Sequence, residues 1–120
     1  MRANLIAMTL LIAVSACATA SFGAPGNVGD GDSAPAPARQ RELLQLLRQD
    51  CGACHGLRLT GGLGPALTPD ALKEKAPASL AAAIVHGRAG TAMPPWRPFV
   101  SDVEAEWLVM RLREGTTRAP

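Results

Sequence analysis

The apolar positions of the chain follow two different patterns. From Leu5 to Val14 they form a nearly continuous run, broken only by Thr9. After residue 38 they recur every three or four positions with charged residues between them, which is the period of an amphipathic helix. No segment alternates with the period of two that a half-buried strand shows. The pattern therefore predicts an all-α folded unit after residue 38.

Two helices are predicted in the first half of this unit. The first covers Arg39–Asp50, where Leu43, Leu46 and Leu47 share one face, and it leads directly into Cys51. Glycines and a proline then mark residues 56–68 as a loop. Thr68-Pro69-Asp70 has the composition of an N-cap, a proline at the first helical position and an early acid, which predicts a second, short helix.

Two further helices are predicted in the second half. One is opened by Pro77 and closed by Gly87 and Gly90, with a buried face made of Leu80, Ala81, Ile84 and Val85. Three prolines within residues 93–98 exclude regular helix or central strand there. Ser101 and Glu104 have the spacing of a capping box and open the last helix, which ends near Gly115. Its apolar stripe is formed by Ala105, Leu108, Val109 and Leu112.

The first twenty residues have the composition of an export signal. Arg2 precedes the apolar run, which is shorter than the roughly 20 residues of a membrane-spanning helix. Two processing sites compete. Ala18-Thr19-Ala20 predicts cleavage before Ser21, whereas Val14–Cys17 resembles a lipobox in which Cys17 carries a lipid. The folded unit is therefore expected in the periplasm, either soluble or tethered to the membrane by a lipid on Cys17.

The composition of the remaining residues indicates a linker followed by a domain, and it argues against a nucleic-acid partner. Residues 21–38 are rich in Gly, Pro and Ala and are predicted to be a disordered linker. The domain, residues 39–120, has eleven basic and eight acidic residues, a net charge of +3. These charges are interspersed, whereas nucleic-acid binders concentrate basic residues on one face. We expect no nucleic-acid partner, and we expect a monomer.

The segment Cys51–Gly56, CGACHG, carries the chemistry. Cys51 and Cys54 could form a disulfide or a thiol redox pair, but such redox pairs come with a βαβ context that this chain lacks. A zinc site requires about four ligands. Besides Cys51, Cys54 and His55, only His86 could be a ligand, and the adjacent Cys54 and His55 fit poorly around one tetrahedral ion. C-x-x-C-H is the attachment pattern of c-type haem, which uses both cysteines and the histidine together.

The sixth coordination position of the haem iron separates an electron carrier from a haem enzyme. Three downstream side chains are candidates. Met110 lies within the last helix beside its apolar stripe, and His86 lies at the end of a helix, where histidine is a common terminal residue. Met93 lies in a proline-restricted loop, where a ligand can be held without helical constraint, and it is the predicted ligand.

Four segments resemble class I cytochromes c: CGACHG, GGLGPALTPDAL, IVHGRAGTAMPPW and EAEWLVMRLREG. They are most similar to the small cytochromes c-55X associated with haem-cd nitrite reductase in denitrifying bacteria. The resemblance covers residues 41–115 and implies helices wrapped round one haem with one edge exposed. It implies covalent attachment at Cys51 and Cys54, axial ligation by His55 and Met93, and a haem pocket that includes Pro65, Leu67 and Trp96. The carbonyl group of Pro65 would orient His55, and Trp107 would be the aromatic residue at which the last helix crosses the first.

Three functions are compatible with this resemblance. The first is a one-electron carrier, not an enzyme, which passes electrons from a quinol-linked donor to nitrite reductase. The second is an accessory factor in the maturation of haem d for the same reductase. The third, a haem enzyme or gas-binding protein, requires that Met93 is not an iron ligand.

Overall fold

The computed structural model describes residues 34–115 of the chain, which form five α-helices and one π-helical turn. In chain order these are α1 (Pro37–Leu46), the π-turn (Leu47–Cys51), α2 (Gly52–His55), α3 (Pro69–Leu72), α4 (Pro77–His86) and α5 (Asp102–Glu114). Residues 34–115 contain no strand, and the all-α prediction is confirmed. The predicted export segment with Cys17 and most of the predicted linker lie outside the described residues.

The first helix begins earlier than the sequence pattern indicates. Pro37 and Ala38, which we assigned to the linker, form the first turn of α1. Proline suits this position because its fixed φ is helical and its missing N–H would have no helical partner. The α-helical geometry ends at Leu46, four residues before the predicted end. The π-turn continues it, and there the Gly52 N–H donates to the carbonyl of Leu47. One uninterrupted helical segment therefore runs from Pro37 to His55.

The predicted ends of the other helices are confirmed. The Thr68 hydroxyl accepts a hydrogen bond from Ala71 N at the start of α3. The capping box of α5 is complete: Ser101 Oγ accepts from Glu104 N, and Glu104 Oε2 accepts from Ser101 N at 2.8 Å. Gly115, at φ 72°, ends α5 in the left-handed conformation. Local capping chemistry therefore fixes where the helices begin and end.

The core forms where α5 packs against α4, α1 and α3. The stripe predicted for α5 is buried, together with Trp107. From α1 and the π-turn the core receives Leu43, Leu44 and Leu47. Leu44 was not predicted, because it lies one position away from the stripe that leucine spacing indicates. Leu59, Leu72 and Val100 complete the core from the connecting segments and α3.

The apolar face of α4 is shared between the core and a cavity. Ala81 and Val85 are buried in the core, whereas Leu80 and Ile84 are only half-buried and line the cavity. The prediction of a buried face is therefore confirmed for Ala81 and Val85 and wrong for Leu80 and Ile84. Successive residues of a helix are rotated by about 100°, so one broad apolar stripe can serve two neighbours.

An ion pair connects the two ends of the described chain. Arg39 of α1 donates from Nε to Glu104 Oε1 at 2.6 Å and from Nη2 to Glu104 Oε2 at 3.3 Å. Its Nη2 also donates to the carbonyl of Phe99 at 2.7 Å. The hydrogen bonds from Arg39 hold the pKa of Glu104 below its usual range, and those to Glu104 and Glu42 raise the pKa of Arg39. Arg39 thus ties the start of α1 to the start of α5.

Candidate cofactor site

The cysteines and the histidine of CGACHG lie on one continuous helical surface. Cys51 ends the π-turn, and Cys54 and His55 belong to α2. Cys51 is half-buried and Cys54 is exposed, and both are free thiols. π-helical turns are often found at functional sites, because the extra residue changes where the following side chains point. Here the turn immediately precedes the attachment sequence.

The environment of Cys51 does not suit a thiol redox pair. Burial, with a smaller contribution from the charge of Asp50, raises the pKa of the Cys51 thiol to about 11. Reactive cysteines in redox motifs instead have a lowered pKa, because the thiolate is the attacking species. Burial of the Cys51 thiol therefore favours the attachment hypothesis over the redox hypothesis.

His55 is held in one ring orientation. It is only 8% exposed, and its Nδ1 lies 2.7 Å from the carbonyl oxygen of Pro65. Because a carbonyl oxygen can only accept a hydrogen bond, Nδ1 carries the proton and Nε2 of the neutral ring has a free lone pair. A histidine that ligates a metal commonly donates its other N–H to a carbonyl group in this way. Nε2 is therefore available as a ligand to a metal ion.

The loop after α2 encloses the histidine ring. Gly61 N donates to the carbonyl of His55, and Gly64 N donates to the carbonyl of Cys54, both at 2.9 Å. A Cβ atom at Gly64 would lie 2.6 Å from Cε1 of His55, closer than a side chain can approach. Glycine is therefore required at position 64 for the loop to pack against the ring.

A second loop, residues 87–95, carries Met93. Arg88 N donates to the carbonyl of Met93 at 3.1 Å, and Met93 N donates to Thr91 Oγ1 at 3.3 Å. Thr91 in turn donates from both its amide and its hydroxyl to the carbonyl of Arg88. Gly87, at φ 68°, packs against the backbone of Met93 and Pro94, where a Cβ atom would lie only 2.7 Å from several atoms. The main chain around Met93 is thus fixed from both sides.

Both loops face one cavity of about 570 Å³. This volume falls within the roughly 300–1,000 Å³ that is usual for cofactor sites. The cavity brings together all the site residues expected from the sequence: Cys51, Cys54, His55, Pro65, Leu67, Met93 and Trp96. His86 and Met110, the alternative ligands, are not among the residues that line it. Met110 is 53% exposed on α5.

Several cavity residues were not predicted. Leu46, Leu80 and Ile84 form part of the apolar wall. Leu63 also lines the cavity although it is 90% exposed, so it lies where the cavity opens to solvent. A signal for Leu63 was present, since a large apolar side chain between glycines is unusual in a surface loop. The charged lining residues are Asp50, Lys75 and Arg88.

Comparisons with known proteins agree with this geometry. Residues 38–110 match a family described as "Cytochrome C oxidase, cbb3-type, subunit III". The chain is 58% identical over 87 residues to cytochrome c55X of Pseudomonas aeruginosa, covering 72% of this chain and 73% of that protein. It is 57% identical to cytochrome c55X of Stutzerimonas stutzeri, covering 69% and 74% of the two chains. The solved structure of the c-type cytochrome NirC is similar over 72% of this chain and all of that one, at a TM-score of 0.68 and 58% identity.

A larger protein contains a similar domain. The chain is 40% identical over 75 residues to a dihydro-heme d1 dehydrogenase of Pseudomonas aeruginosa, covering 62% of this chain and 15% of that protein. The solved structure of dihydro-heme d1 dehydrogenase NirN in complex with DHE is similar over 71% of this chain, at a TM-score of 0.54 and 38% identity.

The chain belongs to the cytochrome c family, in which the cytochromes c55X are its relatives. Its fold is that of a class I cytochrome c. Its cofactor is haem c, attached covalently, since Cys51 and Cys54 occupy the two cysteine positions of C-x-x-C-H. The site fits this group: the cavity is largely apolar, both thiols border it, and His55 Nε2 has a free lone pair.

None of the helices within residues 34–115 has the length and apolar character needed to cross a bilayer.

Proposed function

We propose that this protein is a periplasmic one-electron carrier in which His55 and Met93 are the two axial ligands of the haem iron. The observation that carries the proposal is the shared cavity, since the oriented ring of His55 and the fixed Met93 loop both line it. Bound haem c supplies an iron that gains and loses one electron. With a protein side chain on each side, no coordination position is left for a substrate, which favours a carrier over an enzyme.

The residues of the cavity have distinct roles in this proposal. Cys51 and Cys54 form the two thioether bonds. Pro65 accepts the hydrogen bond that orients His55, and the N–H donation makes Nε2 a better electron donor. Leu67 and Trp96 line the cavity and exclude water from it. A dry, rigid site changes little when its charge changes, which suits rapid electron transfer.

The loop that follows α2 has exposed apolar residues that suit short contacts with a partner. Leu57 and Leu63 are large apolar residues that are 82% and 90% exposed. Arg58 lies next to Leu57, and its side chain has no ion-pair partner within residues 34–115. A small apolar contact with a basic rim would steer an acidic partner and release it quickly. Weak redox contacts of this type bury less than about 1,200 Å².

We propose haem-cd nitrite reductase as the electron acceptor and a quinol-linked protein as the donor. Similarity to the cytochromes c55X supports a place in denitrification through the resemblance described above. The export segment supports a periplasmic location, with Cys17 as the point at which a lipid would attach.

A second function is favoured by the similarity to dihydro-heme d1 dehydrogenase. A domain similar to this chain is present within a protein whose name describes oxidation of a dihydro-haem. Such an oxidation releases electrons that a c-type haem can accept one at a time. In this alternative, the chain accepts electrons during maturation of haem d and acts as an accessory factor to the reductase.

Stopped-flow mixing separates the two functions. The reduced holoprotein is mixed with oxidised haem-cd nitrite reductase, and reoxidation is followed at several ionic strengths. We expect fast transfer that slows as salt is added, and a lower rate for Arg58→Gln at low salt only. If no transfer occurs, and deletion of the gene leaves nitrite reductase without haem d, the maturation function replaces the carrier function.

A further inference from the structure

Two basic side chains line the cavity without a role in iron ligation. Lys75 lies just before α4 and Arg88 just after it. Neither side chain forms an ion pair or a hydrogen bond with another residue of the described range, 34–115. By contrast, Lys73 is paired with Asp70 at 2.8 Å, and Arg97 is paired with Asp102 at 3.1 Å. Both residues are exposed, and no residue of this described range uses their hydrogen-bonding capacity.

The backbones of both residues are nevertheless held in place. Arg113 Nη1 donates to the carbonyl of Lys75 at 2.8 Å. Arg88 N donates to the carbonyl of Met93, and Thr91 donates to the carbonyl of Arg88. The two cations thus start from fixed main-chain positions at opposite ends of α4, whose ten residues span about 15 Å.

Haem c carries two propionate carboxylates, and the side chains of α4 that line the cavity between these cations have no polar group to offer them. The residues of α4 that line the cavity are Leu80, Ala83 and Ile84. A carboxylate placed against apolar side chains is costly unless it is paired and hydrogen-bonded. We propose that Lys75 and Arg88 bind the two propionates of haem c, with the planar guanidinium of Arg88 able to form two parallel hydrogen bonds. This proposal rests on the haem cofactor and not on the identity of the electron partner.

Pairing of this kind acts on the redox equilibrium. The oxidised haem carries one more positive charge than the reduced haem, so an uncompensated propionate favours the oxidised form. A cation bound to the propionate removes part of this effect and raises the midpoint potential. We therefore expect Lys75→Gln and Arg88→Gln each to shift the redox equilibrium constant towards the oxidised form by about three- to tenfold. A tenfold change equals about 59 mV for one electron.

The test uses redox titration and infrared difference spectroscopy of the holoprotein, with isotopically labelled propionate carboxylates. Lys73→Gln is the matched control, because Lys73 is exposed, already paired and outside the cavity lining. Asp50→Ala is the second control, since it removes a charge that lines the cavity and adds no hydrogen-bond donor for a propionate. We expect Lys75→Gln and Arg88→Gln to have lower midpoint potentials and shifted propionate bands. In Lys75→Arg, the potential and the bands should return to the wild-type values.

Two results would overturn the proposal. One is that the potentials of Lys75→Gln and Arg88→Gln equal that of Lys73→Gln. The other is that their potentials fall while their propionate bands stay unchanged, as we expect for the bands of Asp50→Ala. The effect on the potential would then be a general effect of charge. In either case, the proposed electron-carrier function would still hold if Lys75→Gln and Arg88→Gln kept the wild-type visible spectrum and transferred electrons normally.

Discussion

At the scale of single residues, the environment of His55 links the fold most closely to the chemistry. The ring is buried, its Nδ1 is engaged by the carbonyl of Pro65, and Gly64 packs against its face. Removing any one of these constraints should let the ring turn. The tautomer and the direction of Nε2 depend on two loop residues that follow the histidine by nine and ten positions.

Gly64→Ala tests this arrangement. The added methyl group would lie 2.6 Å from the His55 ring, so we expect the ring to be displaced from Pro65. The yield of holoprotein should fall severalfold, and the remaining protein should have an altered visible spectrum. Gly90→Ala is the control: it strains a backbone with φ 76°, but no atom lies within 4 Å of the added group. If Gly64→Ala accumulates with a native spectrum, the loop does not hold the ring.

At the scale of the helices, the end of α4 supports the Met93 loop. Gly87 and Gly90 both have positive φ, so alanine at either position costs about 1–2 kcal/mol of backbone strain. Only Gly87 also touches the backbone of Met93 and Pro94. The two positions therefore separate backbone strain from contact with the loop.

We expect Gly87→Ala to weaken the proposed bond between Met93 and the iron, and Gly90→Ala to lower only the free energy of unfolding. The measurement is the sulfur–iron charge-transfer band of the oxidised protein, followed during thermal unfolding. In Gly90→Ala the band should persist until the fold melts. Equal loss of the band in both variants at low temperature would contradict a specific role for Gly87.

The ion pair between α1 and α5 makes stability depend on pH. Arg39 holds the pKa of Glu104 below its usual range, so the stabilisation is present above the unfolded pKa, near 4.3, and is lost as pH falls through the folded pKa. Glu104→Gln removes the charge and keeps an acceptor for the capping box. We expect this variant to lose about 1 kcal/mol of unfolding free energy at neutral pH.

Denaturant unfolding at a series of pH values measures this effect. The difference between wild type and Glu104→Gln should shrink as pH falls below about 4.3 and vanish once Glu104 is protonated. Glu114→Gln, which breaks an exposed pair with Arg111 on the last turn of α5, should cost only about 0.3–0.5 kcal/mol. A difference for Glu104→Gln that does not change with pH would mean that the charge contributes nothing.

The starts of the helices can be predicted from the sequence better than the junctions between them. Caps are local, so Thr68, Pro77 and the Ser101–Glu104 box identify helix starts directly. The π-turn was missed because one extra residue in a turn leaves the spacing of the leucines almost unchanged. The second role of Leu80 and Ile84 depends on what lies opposite them, and spacing along one helix carries no such information. Pairing of Arg39 with Glu104, 65 positions apart, is likewise a tertiary property.

At the scale of the whole molecule, the haem cavity is large for so small a domain. Its volume is about 570 Å³, and apolar side chains form most of its lining. In the proposed site, the haem covers half-buried residues such as Leu80 and Ile84 on this side. Because folded proteins are stable by only about 5–15 kcal/mol, a small domain depends strongly on that contact.

We therefore expect the haem-free protein to be poorly folded. Circular dichroism of the Cys51→Ala/Cys54→Ala variant, purified without haem, should show much less helix than the holoprotein and no cooperative thermal transition. The holoprotein of the Cys17→Ser variant is the control, because Cys17 lies outside residues 34–115. A cooperative transition in the haem-free variant would show that the core alone is sufficient for folding.

In the proposed carrier His55 and Met93 both ligate the iron, and the visible spectrum of the oxidised holoprotein tests this ligation most directly. The wild-type protein should show the sulfur–iron charge-transfer band, and Met93→Ala should lose it, bind nitric oxide and have a lower potential. Met110→Ala and His86→Ala should keep the band. If His86→Ala loses the native spectrum while Met93→Ala keeps it, the assignment of Met93 as the second axial ligand is wrong. If the wild-type protein shows no such band and binds nitric oxide directly, the iron has an open position and the protein is a haem enzyme or gas-binding protein.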